Sequence, residues 1–313
     1  MSADPPLVSV VIPSYNYGQY VCEAVESALA QTYPAVEVLV VDDGSTDDTR
    51  ARLAPYGDRI RYIFQTNQGL SAARNTGIRQ ARGRFVALLD SDDRFHPRKL
   101  ELQMALFARR PELGAVGTET FSDEPPRWAE IPAVCDGSES VSLERAVVRA
   151  PFAPSSAVVR TECFEAVGDF DTALRSVEDR DMWIRIAARY PIAKIPLSLT
   201  WYRVTPGSMS RNPERMEHFE RVVLDKAFRL PELSGRWWLR RKALGLAGTT
   251  SAWTFYQAGR PGVAVRRLLR SFVFWPFPYR APEVHEAWVR TKLLLAATRR
   301  WLLGKRTAPT DAR

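Results

Sequence analysis

The stretch Phe85-Val86-Ala87-Leu88-Leu89-Asp90-Ser91-Asp92-Asp93 runs five apolar residues directly into three carboxylates. A short, unbroken apolar run reads as a strand buried on both faces. Such a strand would deliver its acids at the C-terminal end, where open α/β sheets bind ligands. Three like charges crowded on a buried strand tip repel one another unless something neutralises them. A divalent cation is the simplest neutraliser. Carboxylate oxygens suit Mg²⁺ or Mn²⁺, and Mg²⁺ sites commonly pair one or two carboxylates with substrate phosphates. A solvated acidic loop or a helix N-cap box is the other reading of the same residues, and this stretch alone leaves both open.

Upstream, Leu7-Val8-Ser9-Val10-Val11-Ile12 is a strand closed by Pro13, and Pro13-Ser14-Tyr15-Asn16-Tyr17-Gly18 is a loop. Apolar residues then recur at Val21, Ala24, Val25, Ala28 and Leu29, a helical period. Val36 to Val41 is a second strand that runs into Asp42 and Asp43, and Ile60 to Gln65 reads as a third. Asn67 to Ser71 turns into a helix that carries Arg74 and Asn75 and ends at Gly83. Strand alternating with helix calls for a mainly parallel sheet with right-handed crossovers. Polar clusters follow successive strands at Tyr15-Asn16, Asp42-Asp43 and Asp90–Asp93, and in a parallel sheet these share one edge. That convergence describes a nucleotide site. No G-x-G-x-x-G and no G-x-x-x-x-G-K-[ST] occurs at these turns, so neither a dinucleotide fold nor a P-loop is supported.

Further on, a helix follows Pro97, Gly114–Gly117 and Ser155–Arg160 read as strands, and Glu144–Arg149 reads as a helix. Residues 122–140 read as a polar surface loop or lid. Val177-Glu178-Asp179-Arg180-Asp181-Met182-Trp183 opens a helix with acids in its first turn. The helix dipole favours acids there without any catalytic role, as would a salt bridge with Arg180 or Arg185.

The chain has 313 residues, enough for one large or two modest domains. Three scattered cysteines argue for a reducing compartment and against a disulfide framework or zinc, and only three histidines exist. No signal peptide is visible, and no apolar run reaches the roughly 18 residues of a membrane span. The expected location is cytoplasmic. Charge is uneven: residues 1–210 carry 23 Lys+Arg against 28 Asp+Glu, whereas residues 211–313 carry 21 against 8, or +13. Residues 211–313 read as helices over Phe219–Phe228, Trp237–Gln257, Val263–Phe272 and Val284–Leu303. Basic and apolar residues mix there as they do in interfacial helices. Two readings stand for this region: a helical subdomain, or peripheral attachment to an anionic membrane on its cytoplasmic face. Nucleic acid is not expected, because no recognition motif accompanies the charge.

Taken together, Val8–Asn16, Val38–Asp47, Asn67–Gly77, Leu88–Asp93 and Glu178–Arg185 resemble family 2 of the inverting nucleotide-sugar glycosyltransferases, which have a GT-A fold. The likeness covers about residues 7–210, with the blocks in the family's order; it suggests domains at 1–210 (catalytic) and 211–313 (basic, helical). The resemblance implies roles. Pro13, Tyr15 and Asn16 fall on the first nucleotide-contacting loop. Asp42 and Asp43 fall on the second, where an acid accepts from the base, commonly uracil. Arg74 and Asn75 match a helix face beside the nucleotide. Asp90-Ser91-Asp92 matches the metal motif for Mg²⁺ or Mn²⁺, with Asp92 the more direct ligand. Glu178-Asp179 matches the motif whose aspartate is the usual catalytic base. Trp183 and Arg185 border the acceptor pocket. Where the family often has a metal-holding histidine after a late Tyr-Arg, this chain has Thr205.

The implied reaction moves a sugar, with inversion, from a UDP-sugar to a hydroxyl of a glycan or lipid-linked acceptor. A carboxylate takes the hydroxyl proton, a step that typically contributes on the order of 10²–10⁴-fold. No covalent intermediate is required. The rival from another class is a catalytically inactive sugar-nucleotide-binding module or membrane-surface adaptor, toward which only Thr205 leans. A nucleotidyltransferase would need a glycine-rich, basic phosphate loop after the first strand, and Pro13–Gly18 offers none.

Overall fold

A computed structural model describes residues 4–122, 128, 130–131, 137–205, 212–279, 283–284 and 288–304. In chain order its elements are β1 (Val8–Ser14), α1 (Gly18–Leu29), β2 (Val36–Asp42), α2 (Thr49–Leu53), β3 (Arg61–Phe64), α3 (Leu70–Gln80), β4 (Phe85–Leu88), β5 (Arg94–Phe95), α4 (Lys99–Arg109), β6 (Ala115–Phe121), β7 (Glu139–Val141), α5 (Leu143–Val148), β8 (Val158–Arg160), α6 (Thr161–Val167), α7 (Glu178–Ala187), β9 (Ile192–Trp201), α8 (Pro213–Ala227), α9 (Trp237–Gln257), α10 (Pro261–Phe274) and α11 (Val289–Leu302). The chain divides into two compact units, residues 1–142 with 151–204, and residues 143–150 with 205–313.

The first unit holds one mixed sheet in the order β3-β2-β1-β4-β8-β6-β9-β5, with β7 beside β9. Strands β3, β2, β1 and β4 are parallel; β8 turns the direction, and β6 and β9 are again parallel to each other. The apolar runs of β1, β2 and β4 are buried throughout their centres, as a sheet covered on both faces requires. Helix α1 buries Val21, Ala24, Val25 and Ala28, one stripe at helical spacing.

Pro13 does not end β1 but lies within it, opposite Val41. A proline cannot donate to a ladder. Pairing to β4 stops at Val11, so Pro13 lies beyond the ladder on that side. The expected strand from Ser155 begins only at Val158. Pro154 instead opens a 3₁₀ turn over Pro154–Ser156, where its fixed φ suits a helical start. Most of the polar stretch at 122–140 lies outside the described residues.

In the second unit α9 and α10 form a hairpin through Ala258-Gly259-Arg260, and Gly259 takes the positive φ of 74° that the turn needs. Ala252, Phe255, Ala264, Val265, Leu268, Leu293 and Ala297 make a small core among α9, α10 and α11. Thr205 belongs to this unit. Among the described residues no helix is long and apolar enough to cross a membrane.

Candidate active site

Parallel pairing puts the C-terminal ends of β2, β1 and β4 side by side: Ser14 is level with Asp42, and Val11 with Leu88. The loops after these strands therefore open on one sheet edge. Asn16 sits there in the left-handed region, φ 55°, which asparagine tolerates better than most residues. Its Oδ1 accepts from the Thr46 N–H at 2.8 Å, and its own N–H donates to Ser45 Oγ at 2.9 Å. Asn16 thus ties the first loop to the second, while Tyr15 beside it stands 46% exposed and open to a ligand.

Asp42 and Asp43 are both buried. Asp42 accepts from Ser45 N–H at 2.8 Å and from the Tyr62 hydroxyl at 2.6 Å. Asp43 accepts from the backbone N–H groups of Gln68 (2.9 Å) and Gly69 (2.8 Å) and from the Gln65 amide at 2.7 Å. Their first task is to shape the loops that lead into α3. Tyr62, Gln65 and Gln68 carry no local pattern that marks them as partners of these acids.

Arg74 joins the halves of the site. It is buried on α3, and its guanidinium donates to Asp90 Oδ1 and to Glu178 Oε1, both at 2.6 Å, with the Phe170 ring 5.5 Å away. One side chain therefore links the tip of β4 to the first residue of α7. The neighbouring Asn75 is committed elsewhere: its amide donates to the Phe170 carbonyl and accepts from the Phe170 N–H, each at 2.9 Å. The expectation that Asn75 faces the nucleotide is corrected, because both polar atoms brace the 170 segment. Trp183 is corrected as well. It has no exposed surface, packs on Phe152, and donates from its indole to the Phe152 carbonyl at 3.1 Å. An apolar helix face carried it into the core. Arg185 likewise serves structure, pairing with Asp181 at 2.9 Å and with carbonyls of residues 167 to 169.

The acidic turn separates its carboxylates by function. Asp93 is buried and accepts from Ser155 Oγ at 2.5 Å and from Arg203 N–H at 3.0 Å, so it anchors the turn from within. Arg203 donates from Nε to the Asp92 carbonyl at 3.0 Å and lies 4.4 Å from each of the Tyr20 and Trp201 ring centroids. Its third tie is to Glu23 at 2.5 Å. Neither Ser155 nor Arg203 is marked by local spacing, since both lie more than sixty residues from the acids they hold. Ser91 is buried. Asp90 and Asp92 keep partial exposure. Burial and the adjacent Asp90 charge push the Asp92 carboxyl up to about 6. Burial does most of this and the like charge of Asp90 adds to it, since both disfavour the ionised form.

Among the described residues no group of three or more His, Cys, Asp or Glu is disposed to hold a metal. Two carboxylates, one of them electrostatically stressed, fit a hard cation that takes its remaining oxygens from a diphosphate and water. Glu178 and Asp179 open α7, and the residue before them, Val177, is held at φ 63°, ψ 17°. A β-branched residue in that region is a genuine outlier, and such strain gathers at functional sites. Burial and the Glu178 charge push Asp179 up to about 7.

The model of Glycosyl transferase family 2 matches residues 9–137. An uncharacterized glycosyltransferase of Rickettsia prowazekii is 31% identical over 185 residues, which are 58% of this chain and 58% of that protein. Chondroitin synthase of Escherichia coli is 44% identical over 116 residues, 36% of this chain and 17% of that protein. The chain thus spans 58% or less of these relatives' lengths. Two solved structures share the fold. S. aureus TarS 1-349 in complex with UDP-GlcNAc aligns over 96% of this chain and 92% of its own, with TM-score 0.57 and 18% identity. The mannosyltransferase PcManGT from Pyrobaculum calidifontis, in complex with GDP-Man and Mn²⁺, aligns over 96% and 88%, with TM-score 0.59 and 21% identity. Family model and relatives agree over the first part of the chain, and residues 9–137 belong to glycosyl transferase family 2.

Proposed function

We propose that the protein is an inverting glycosyltransferase that moves a sugar from a UDP-sugar to a hydroxyl of a glycan or lipid-linked saccharide. One observation carries the reading: Arg74 draws Asp90 and Glu178 onto a single guanidinium, so the acidic turn and the start of α7 flank one space. An inverting transfer needs this arrangement, with a charge-handling site for the diphosphate on one side and a base facing the acceptor on the other. Asp179 is that base. A carboxyl near 7 is a far stronger proton acceptor than an ordinary aspartate, and still ionises at neutral pH. Tyr15 and the Asp42/Asp43 loop take the base and ribose. Asp90 and Asp92 would hold Mg²⁺ or Mn²⁺, which when bound would offset charge on the departing diphosphate. UDP as the nucleotide draws support from the UDP-GlcNAc in one structural relative, and a divalent ion from the Mn²⁺ in the other, whose nucleotide sugar is GDP-Man. A polysaccharide acceptor draws support from the chondroitin synthase likeness. Residues 1–210 are the catalytic part in this reading, and the basic region 211–313 brings it to the membrane that carries a lipid-linked acceptor.

The test is release of UDP from UDP-sugars with an oligosaccharide or lipid-linked acceptor. Asp179→Asn should lower kcat by at least a hundredfold with UDP affinity nearly unchanged. Asp92→Ala should weaken UDP binding in Mn²⁺ by calorimetry and leave metal-free binding alone. Wild-type turnover in the first variant would remove Asp179 as the base.

A further inference from the structure

Helices α10 and α11 contain no Asp or Glu, while α10 carries three Arg and α11 carries four Lys or Arg. They run antiparallel. The buried Arg290 at the start of α11 donates to the carbonyls of Ser271, Trp275 and Phe277 at the end of α10, and Gly262 at the start of α10 lies against Trp301 at the end of α11. Their inward sides supply Ala264, Leu268, Leu293 and Ala297 to the small core. What remains is two neighbouring outward stripes. On α10, Arg266, Leu269, Arg270 and Val273 follow the i, i+3, i+4, i+7 spacing of one face, and all are exposed. On α11 the stripe is Trp288, Lys292, Leu295, Arg299 and Leu302, again one face and again exposed.

The apolar members are large and open: Val273 is 73% exposed, Leu295 68% and Leu302 75%. Scattered exposed leucines are ordinary. Leucines alternating with arginines along two adjacent helices, with no acid on either, are not what a water-facing surface selects. Arg266, Arg270 and Arg299 make no ion pair among the described residues. Such a face is complementary to anionic lipid: apolar side chains enter the headgroup boundary, while the long basic stems lie along them and keep their charge at the phosphates.

We infer that the outward face of the α10–α11 pair docks on an anionic bilayer. The inference rests on the membrane-borne acceptor proposed above and identifies the surface that meets that membrane. The charge of residues 211–313, +13 against −5 for residues 1–210, confines the attraction to this part of the chain.

The experiment is co-sedimentation of the full chain with phosphatidylcholine vesicles and with vesicles that also contain phosphatidylglycerol, at low and high NaCl. Variants Arg266→Gln/Arg270→Gln/Arg299→Gln and Leu269→Ser/Leu295→Ser test the stripes. Trp237→Ser/Trp238→Ser alters exposed apolar residues at the start of α9, off the stripes. Circular dichroism melting confirms that each variant folds. The wild type should bind the anionic vesicles only and lose binding in salt. The arginine variant should bind on the order of a hundredfold less. The leucine variant should also fall, and the tryptophan variant should bind as wild type. Stripe variants that bind normally while the tryptophan variant does not would overturn the assignment of the face and leave the membrane-borne acceptor standing. A wild type that ignores anionic vesicles yet transfers sugar to a free oligosaccharide would overturn the membrane partner and leave the enzyme reading standing. A dimer in solution that the leucine variant abolishes would overturn the inference in favour of a second copy.

Discussion

At Asp179 the folded chain favours the protonated form, since burial and then Glu178 push the carboxyl from 3.8 up to about 7. A raised carboxyl contributes stability that is complete below its unfolded value and is lost as pH climbs through its folded value. The ligand-free protein should therefore melt at a lower temperature at pH 8 than at pH 5. Asp179→Asn should flatten part of that fall, with the rest belonging to Asp92 near 6 and to Asp93, which burial and its acidic neighbours also hold well above the usual carboxylate range. Equal slopes in the two proteins would mean that Asp179 titrates normally. If Asp179 is the base proposed above, catalysis runs the other way, because a base works ionised: kcat/KM should rise along an acid limb centred near pH 7. Two residues earlier, Val177 has a left-handed backbone that costs an L residue about 1–2 kcal/mol, whereas asparagine visits it readily. Val177→Asn should raise the urea midpoint by an amount equivalent to about 1 kcal/mol. It should leave kcat near wild type, because asparagine keeps the backbone that aims the first turn of α7. A stabilised variant with full kcat would separate strain from chemistry.

The site depends on how closely α3 approaches β1. A Cβ on Gly77 would lie 2.3 Å from Val11 Cγ1 and 3.2 Å from Val41 Cγ2. Real side chains do not sit so close, so Gly77→Ala must lift the helix from the sheet. Overpacking of this kind costs about 1–3 kcal/mol, more than the roughly 1 kcal/mol that alanine brings to a helix. Urea unfolding of Gly77→Ala should show that net loss, and adding Val11→Ala, which empties the contact, should recover part of it. The same lift would displace Arg74, three residues earlier on the helix, from Asp90 and Glu178. UDP affinity should then fall with stability in the single variant.

The chain folds as two compact units, so a single melting transition is not guaranteed. A ligand that binds one native unit stabilises that unit by about 2.7 kcal/mol at a hundredfold excess over its Kd. UDP with Mn²⁺ should raise the transition that belongs to residues 1–142 and 151–204. Any separate transition of residues 143–150 and 205–313 should stay in place. Calorimetric scans with and without UDP check this, and an unmoved thermogram would count against nucleotide binding altogether.

The sequence by itself determined the strands that end in acids, their parallel arrangement at the start of the chain, and the resemblance to the family, because hydrophobic period and motif spacing are local properties. It also marked Asp90, Asp92, Glu178 and Asp179 as candidates. Only the tertiary structure decided what each polar side chain holds. Asn75 and Trp183 look like ligand contacts until their partners, Phe170 and Phe152, are seen. Asp93 looks equal to its neighbours until Ser155 and Arg203 claim it. Arg74 links Asp90 with a glutamate 104 residues along the chain. Hydrogen bonds are short and directional, and their partners here come from distant strands and helices. No local pattern encodes which lone pair will be taken by the protein and which is left to a substrate.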